Sequence, residues 1–226
     1  MKLRLGNTVG TKSLYPSFKL NRVERDILIG TILGDACIEP CKKESRVQIA
    51  HSERQKEYVI WKYNHLKGWT LSPPKRMVVK DPRNQKVYYR WRFRTFSHSE
   101  FTYYRKIFYR NRRKIIPWNI KEILKSPLSL AVWYMDDGKK RPDCRGAYLD
   151  TICFSVEEQE RLIKCLGDNF RIKNARLHWN GDGYHIYIPF SSTPRLISLI
   201  KNYVIPSMEY KLPLTRNDFV RVKRTG

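Results

Sequence analysis

The sequence predicts an α/β (α+β) fold built from two duplicated halves, each running α-β-β-α-β-β-α, and three observations carry the prediction. First, Leu28-Ile29-Gly30-Thr31-Ile32-Leu33-Gly34-Asp35-Ala36 is matched by Leu130-Ala131-Val132-Trp133-Tyr134-Met135-Asp136-Asp137-Gly138, with Asp35 and Asp137 102 residues apart. Each is an apolar run closing on an acid. Second, shorter echoes follow at similar offsets. Ser52-Glu53-Arg54-Gln55 and Ser155-Val156-Glu157-Glu158 begin 17 and 18 residues after the two acids, and Thr95-Phe96-Ser97 is answered by Pro189-Phe190-Ser191. Lys114 and Lys211, each leading into a proline, lie 79 and 74 residues after them. Third, helical and two-residue periods alternate in the same order in both halves. A repeat of about 100 residues is too long for a solenoid unit and reads as a duplicated domain. The boundaries expected are a basic N-terminal arm over 1–20, a first half over 21–120 and a second over 121–226.

Residues 1–20 mix basic, Gly, Ser and Pro residues with little periodicity, as a draped arm does. Asn21 with Glu24 forms a capping pair that opens the first apolar helix. Gly30 and Gly34, four apart on one helical face, invite close approach by another helix, since glycine otherwise costs a helix about 1 kcal/mol relative to alanine. Arg46-Val47-Gln48-Ile49-Ala50-His51 alternates as a strand, with Arg46 and Gln48 opposite Val47 and Ile49. Ser52 and Gln55 are expected to cap a helix that buries Val59, Tyr63 and Leu66, with Trp61 and Trp69 as packing groups. In Val87–Thr95, alternation puts Arg90, Arg92 and Arg94 on one face and Tyr89, Trp91 and Phe93 on the buried other. Ser97 and Glu100 are expected to cap a third helix burying Phe101, Tyr104 and Phe108.

The second half opens with Ser126 as N-cap and Pro127 at the first helical position, and Gly138 closes that helix. Strands are expected at Tyr148–Phe154, Arg176–Trp179 and Tyr184–Ile188, and helices near 156–169 and 194–204. Asn180-Gly181-Asp182-Gly183 makes the hairpin turn between the last two strands.

Composition bounds the partner. The 226 residues carry 45 Lys+Arg against 21 Asp+Glu, a net charge of +24, which calls for a polyanion, with nucleic acid first among them. No apolar run of about 18 residues would span a membrane and the N-terminus lacks a signal-peptide core, so a soluble, unexported protein is expected. The five cysteines, odd in number and without paired zinc spacing, read as reduced structural thiols. No G-x-x-x-x-G-K-S/T loop or H-E-x-x-H is present, and the five histidines are scattered.

The two nonapeptides resemble the motif of the LAGLIDADG homing endonucleases, and the likeness extends over most of residues 20–215. The departures are Ala36 for the final glycine, Leu33 and Met135 at the earlier acid position, and Asp136 where a small residue is usual. The resemblance implies a monomeric, pseudo-two-fold saddle with curved antiparallel sheets, whose paired motif helices form the seam. It implies that Asp35 and Asp137 bind catalytic metal, with helix-end carbonyls of Gly34 and Asp136 as further oxygen ligands. Lys114 and Lys211 match the basic positions set near each scissile phosphate, and Gln48 matches a polar residue beside the metals, with Asp150 its counterpart in the second half.

Mg²⁺ suits such an oxygen site, with Mn²⁺ as an active substitute and Ca²⁺ as a non-catalytic one. Double-stranded DNA is the partner implied. Arg46, Gln48, Arg90, Arg92 and Arg94 in the first half and Arg176, His178 and His185 in the second are its expected contacts, guanidinium being suited to guanine edges and phosphates alike. Site-specific double-strand hydrolysis at a long asymmetric target, leaving 3′ overhangs, is the activity implied. An intron RNA maturase, or a catalytically silent nucleic-acid-binding protein on the same fold, would carry the same charge and aromatics. Chloroplast or mitochondrion follows as compartment by family analogy.

Overall fold

A computed structural model describes residues 18–141 and 144–213; most of the expected arm lies outside the described residues. Backbone packing divides these residues into two compact units, one formed by 18–25 with 35–107, the other by 26–34 with 108–141 and 144–213. The chain runs α1 (Arg22–Leu33), β1 (Cys37–Pro40), β2 (Ser45–Ser52), α2 (Lys56–Leu66), β3 (Lys75–Lys80), β4 (Val87–Arg94) and α3 (Ser99–Phe108). A short hairpin follows, β5 (Tyr109–Arg110) and β6 (Arg113–Lys114), then α4 (Ile120–Ile123) and α5 (Pro127–Asp137). The remainder is β7 (Gly138–Lys140), β8 (Ala147–Leu149), α6 (Val156–Phe170), β9 (Arg176–Trp179), β10 (Tyr184–Ile188) and α7 (Thr193–Ile200). The α-β-β-α-β-β-α order therefore occurs twice. Each occurrence builds a four-stranded antiparallel sheet in the same order, β1-β2-β4-β3 and β7-β8-β10-β9.

In the first unit α2 lies against β2 and β4, and the core gathers Ile38, Val47, Ile49, Tyr58, Val59, Leu66, Trp69 and Phe93 with Phe101 and Tyr104 of α3. β2 buries alternate residues along its length, as its sequence requires. Asn21 and Glu24 cap α1 reciprocally, each backbone N–H donating 2.9 Å to the other's side chain.

Two other capping pairs do not form. Residues 53–55 take a 3-10 turn, α2 starts at Lys56, and Ser52 is left too far from the helix for its side chain to cap it. At α3 the cap is His98, whose Nδ1 accepts from Glu100 N at 3.1 Å, one residue after the expected Ser97. The buried stripe of α2 is Tyr58, Val59, Lys62 and Leu66, so Lys62 takes a core position and Tyr63 is only half-buried. In β4, Phe93 is buried and Trp91 half-buried. Tyr89 is exposed, because the strand there runs past the helix layer, and its ring stacks under the Arg76 guanidinium at 3.7 Å.

In the second unit α5 begins as its sequence predicts: Ser126 Oγ accepts from Leu128 N at 3.2 Å, Pro127 occupies the first turn, and Gly138 is the C-cap. Ser155 and Glu158 close a full capping box on α6. The strand expected over Tyr148–Phe154 stops at Leu149, because Asp150 N turns back to Asp137 O at 3.0 Å and Phe154 N to Thr151 O at 3.0 Å. β9 and β10 have the expected ends, joined through Gly181 at φ +77°, a left-handed angle that glycine adopts without strain. The five cysteines are unpaired, and Cys165 is the buried one, its thiol pushed up to about 12 by desolvation; the others are exposed or half-buried and do not serve the core. No helix of the described residues is long and apolar enough to cross a membrane.

Candidate active site

Both apolar runs are helical and deeply buried, from Ile27 to Leu33 in α1 and from Ser129 to Asp136 in α5. A helix apolar all round must be enclosed by other elements. Within the second unit residues 26–34 lie directly against the α5 backbone. A Cβ on Gly30 would stand 2.4 Å from Ser129 O and 3.0 Å from Trp133 N, and one on Gly34 would stand 2.4 Å from Asp136 Cβ. Ser129 Oγ adds a bond of 2.8 Å to Asp26 O. The two glycines thus do what their spacing predicts, and Asp136 is accommodated beside Gly34.

The last carbonyls of a helix have no intrahelical donor and gather negative potential. Here lysines meet them. Lys114, at the end of the β5-β6 hairpin, donates Nζ to Gly34 O at 2.6 Å. Lys211, in the 3-10 turn Pro206–Lys211, donates Nζ to Met135 O at 2.6 Å and to Asp136 O at 2.5 Å. Gly34 and Asp136 are equivalent positions of the two motifs, so the structure places the two lysines at equivalent helix ends. The Gly34 and Asp136 carbonyls expected as metal ligands are the atoms these ammoniums engage. Tyr134 OH fixes the Lys211 backbone at 2.9 Å, and burial holds that phenol well above its usual range.

The motif acids are held by different donors. Asp137, half-buried, accepts Trp133 Nε1 at 3.2 Å from one turn back on α5. Asp35, the residue after Gly34 and part of the first unit, lies with Oδ2 3.1 Å from His51 Nδ1, its side chain 46% exposed against 1% for the histidine. His51 Nε2 in turn is 3.1 Å from Nζ of the buried Lys62. Sequence reasoning missed both. Their signal was a histidine in the apolar register of β2 and a lysine in the apolar stripe of α2.

Gln48 is on the opposite face of β2, directly across from Arg94, and its Oε1 accepts Arg94 Nε at 2.8 Å. Glu39, the cross-strand partner of Arg46, receives Arg46 Nε at 2.8 Å and Arg94 Nη2 at 3.3 Å, so these two guanidiniums are held by a neighbour on the sheet. Arg92 is half-buried with Nη2 3.8 Å from Met77 Sδ, and Arg90 is exposed farther out on β4. The three arginines of β4 share one face, as alternation predicts.

In the second unit Asp150, expected as the counterpart of Gln48, lies just beyond the end of β8 and accepts Lys139 Nζ at 2.7 Å and His185 Nδ1 at 3.2 Å. His185 is buried, His178 bonds Tyr148 OH at 3.0 Å, and the exposed Arg176 lies over the Tyr187 ring at 4.8 Å. Of these three expected DNA-facing residues Arg176 is the most accessible.

Each motif thus ends in a carboxylate, a hard oxygen donor, directly after a helix-end carbonyl that a lysine engages. Comparison with known proteins identifies the family. The model of the LAGLIDADG DNA endonuclease family matches residues 25–196. Probable intron-encoded endonuclease 1 of Wickerhamomyces canadensis is 31% identical over 198 residues, covering 85% of both chains. Cytochrome b mRNA maturase bI2 of Debaryomyces hansenii is 31% identical over 199 residues, 85% of this chain and 74% of the maturase. Among solved structures, that of the homing endonuclease I-WcaI bound to its DNA recognition sequence aligns with a TM-score of 0.85 at 30% identity, covering 94% of this chain and 96% of that one.

Proposed function

The chain belongs to the LAGLIDADG DNA endonuclease family, and we propose that it is a monomeric, site-specific homing endonuclease that hydrolyses one phosphodiester in each strand of a long asymmetric DNA target. The observation that carries this reading is the repeated helix end, with a motif acid beside a helix carbonyl bound by lysine, through Lys114 in one motif and Lys211 in the other. In this reading the duplicated half-domains 21–120 and 121–226 each serve one strand.

A phosphodiester resists attack because its charge repels hydroxide and its alkoxide leaves poorly. Mg²⁺ held at Asp35 in one motif and at Asp137 in the other would supply both positive charge and an activated water. The chain's own groups do the rest. Lys114 and Lys211, anchored through helix carbonyls, are preorganised to stabilise charge developing on phosphate oxygens, which is worth more than a charge that must reorient. Gln48, fixed by Arg94, orients water or a sugar–phosphate edge on the sheet face. Cuts across the minor groove would leave short 3′ overhangs.

The test is incubation of the full chain with a randomised duplex library in Mg²⁺, in Ca²⁺ and with chelator. Double-strand cuts at one long motif in Mg²⁺, absent in Ca²⁺ and chelator, are expected. Absence of cutting in every condition, with tight binding to a structured intron RNA, would replace this reading by the maturase one, which the bI2 relative favours.

On the sheet of the first unit, Arg90→Ala with Arg92→Ala and Arg94→Ala should weaken target binding and flatten the plot of log affinity against log salt by about 0.9 for each phosphate no longer neutralised. Affinity measured at salt concentrations of about 50 to 200 mM checks this; an unchanged slope together with unchanged affinity would remove these residues from the interface.

A further inference from the structure

We propose that His51 and Lys62 are positioning residues for the reaction: a one-way chain of hydrogen bonds from Lys62 through His51 holds the Asp35 carboxylate in its metal-binding orientation. The proposal rests on the endonuclease reading above and concerns residues that the family motif does not include.

The chain follows from donor inventory. A lysine ammonium donates and cannot accept, so at 3.1 Å from Lys62 Nζ the Nε2 atom of His51 must be the acceptor. A neutral imidazole with Nε2 unprotonated carries its proton on Nδ1, and Nδ1 faces Asp35 Oδ2 at 3.1 Å. Every donor therefore points towards Asp35. His51 is by the same count a donor rather than a metal ligand, since Nδ1 bears hydrogen and Nε2 is engaged.

The cost of this arrangement shows that it is specified. Lys62 has no exposed surface, and burying an ammonium is expensive unless it is bonded and countered. The Tyr58 ring, 4.3 Å from Nζ, gives part of the compensation through its π face, and the same ring lies 5.0 Å from that of His51. A leucine at position 62 would satisfy the apolar stripe of α2 at no such cost. The chain ties the residue after α1 to β2 and β2 to α2, so the carboxylate is referred to two packed elements instead of to a loop. At Asp137 the neutral indole of Trp133, on the same helix, is a donor. A carboxylate with one oxygen fixed loses less freedom when it takes a metal, and removal of such supporting bonds typically costs about 10- to 100-fold in metal affinity or activity.

The experiment uses the full chain with His51→Leu, His51→Asn and Lys62→Met. Asn places an amide N–H near the Nδ1 position, whereas Leu offers no donor. Long-range ¹H–¹⁵N NMR of the wild type should show the Nδ1–H tautomer for His51; an Nε2–H tautomer would overturn the chain. Mn²⁺ binding, read by electron paramagnetic resonance, should weaken about 10- to 100-fold in His51→Leu and recover to within a few-fold of wild type in His51→Asn. Single-turnover cleavage at limiting Mg²⁺ should fall with the Mn²⁺ affinity and recover with it in His51→Asn. Lys62→Met should behave as His51→Leu does. A His51→Leu protein that binds Mn²⁺ and cuts as the wild type does would refute the proposal and leave the endonuclease intact. A wild type that cuts nothing would instead remove the endonuclease reading. Should His51→Leu fail to fold, the wild-type tautomer and the Mn²⁺ affinity of His51→Asn decide.

Discussion

Asp137→Asn is expected to slow cleavage of the cognate target by more than about 100-fold, the upper end of what losing even a supporting group costs a metal site, while leaving the fold as stable as before or slightly more so. The substitution conserves shape, and the amide oxygen can still accept the Trp133 indole N–H that now bonds Asp137 Oδ2 at 3.2 Å. What disappears is a negative charge at the C-terminus of α5, where the helix dipole opposes it. Removing an unfavourable charge there is worth about 0.3–1 kcal/mol. At roughly 2–4 °C per kcal/mol for a chain of this size, the melting temperature should hold or rise by up to about 4 °C. Asp35→Asn should have the same effect on cleavage. Parallel plasmid cleavage and calorimetry measure both quantities. Retained cutting would show that the acid has no part in chemistry, and a melting point lowered by several degrees would make it a structural group. Loss of activity without loss of stability is the signature of a charge kept for its function.

The parts of this site that repeat were legible in the sequence, because repetition separates a motif from chance. Asp35 and Asp137, Lys114 and Lys211, and the glycines of α1 all stand out by spacing, and local periodicity placed β2, β9, β10 and α5. The capping errors at Ser52 and Ser97 arise where several polar residues compete for a helix start within a few positions. The choice between Ser97 and His98 is settled by where the chain leaves the sheet, and Ser45 bridges His98 from sequence far away. Tyr89 was misplaced because alternation tells which face a side chain takes but not how far the helix layer extends beneath it. His51 and Lys62 were invisible for a different reason. Each breaks the apolar pattern of its own element, and only the approach of α2 to β2 turns two isolated exceptions into a bonded pair. Polar groups that violate a local rule gain meaning once the partner is in view.

Gly30→Ala should destabilise the protein by about 1–3 kcal/mol, even though alanine is the better helix former by about 1 kcal/mol. The added methyl would fall 2.4 Å from Ser129 O, 2.7 Å from Val132 Cβ and 3.0 Å from Trp133 N, and two of those three atoms are backbone. A backbone cannot swing aside as the end of a long side chain can, so the segment 26–34 must lift from α5. Lifting it separates apolar surfaces that are closed to water along both helices. Gly167→Ala is the matched control. Gly167 is within α6 and a Cβ there meets nothing within 4 Å, so only the helix propensity and the reduced freedom of the unfolded chain act, and stability should rise by about 0.4–1 kcal/mol. Urea melts of the two variants should therefore move in opposite directions. The activity of Gly30→Ala should fall as well, since Lys114 is anchored to the Gly34 carbonyl at the end of the displaced segment, and a misplacement of about 1 Å can cost roughly 100-fold in rate. Equal stabilisation by both alanines would mean that the helices part at no cost. The small residues of the motif would then be there for the helix alone, and the seating of Lys114 against it would not depend on them.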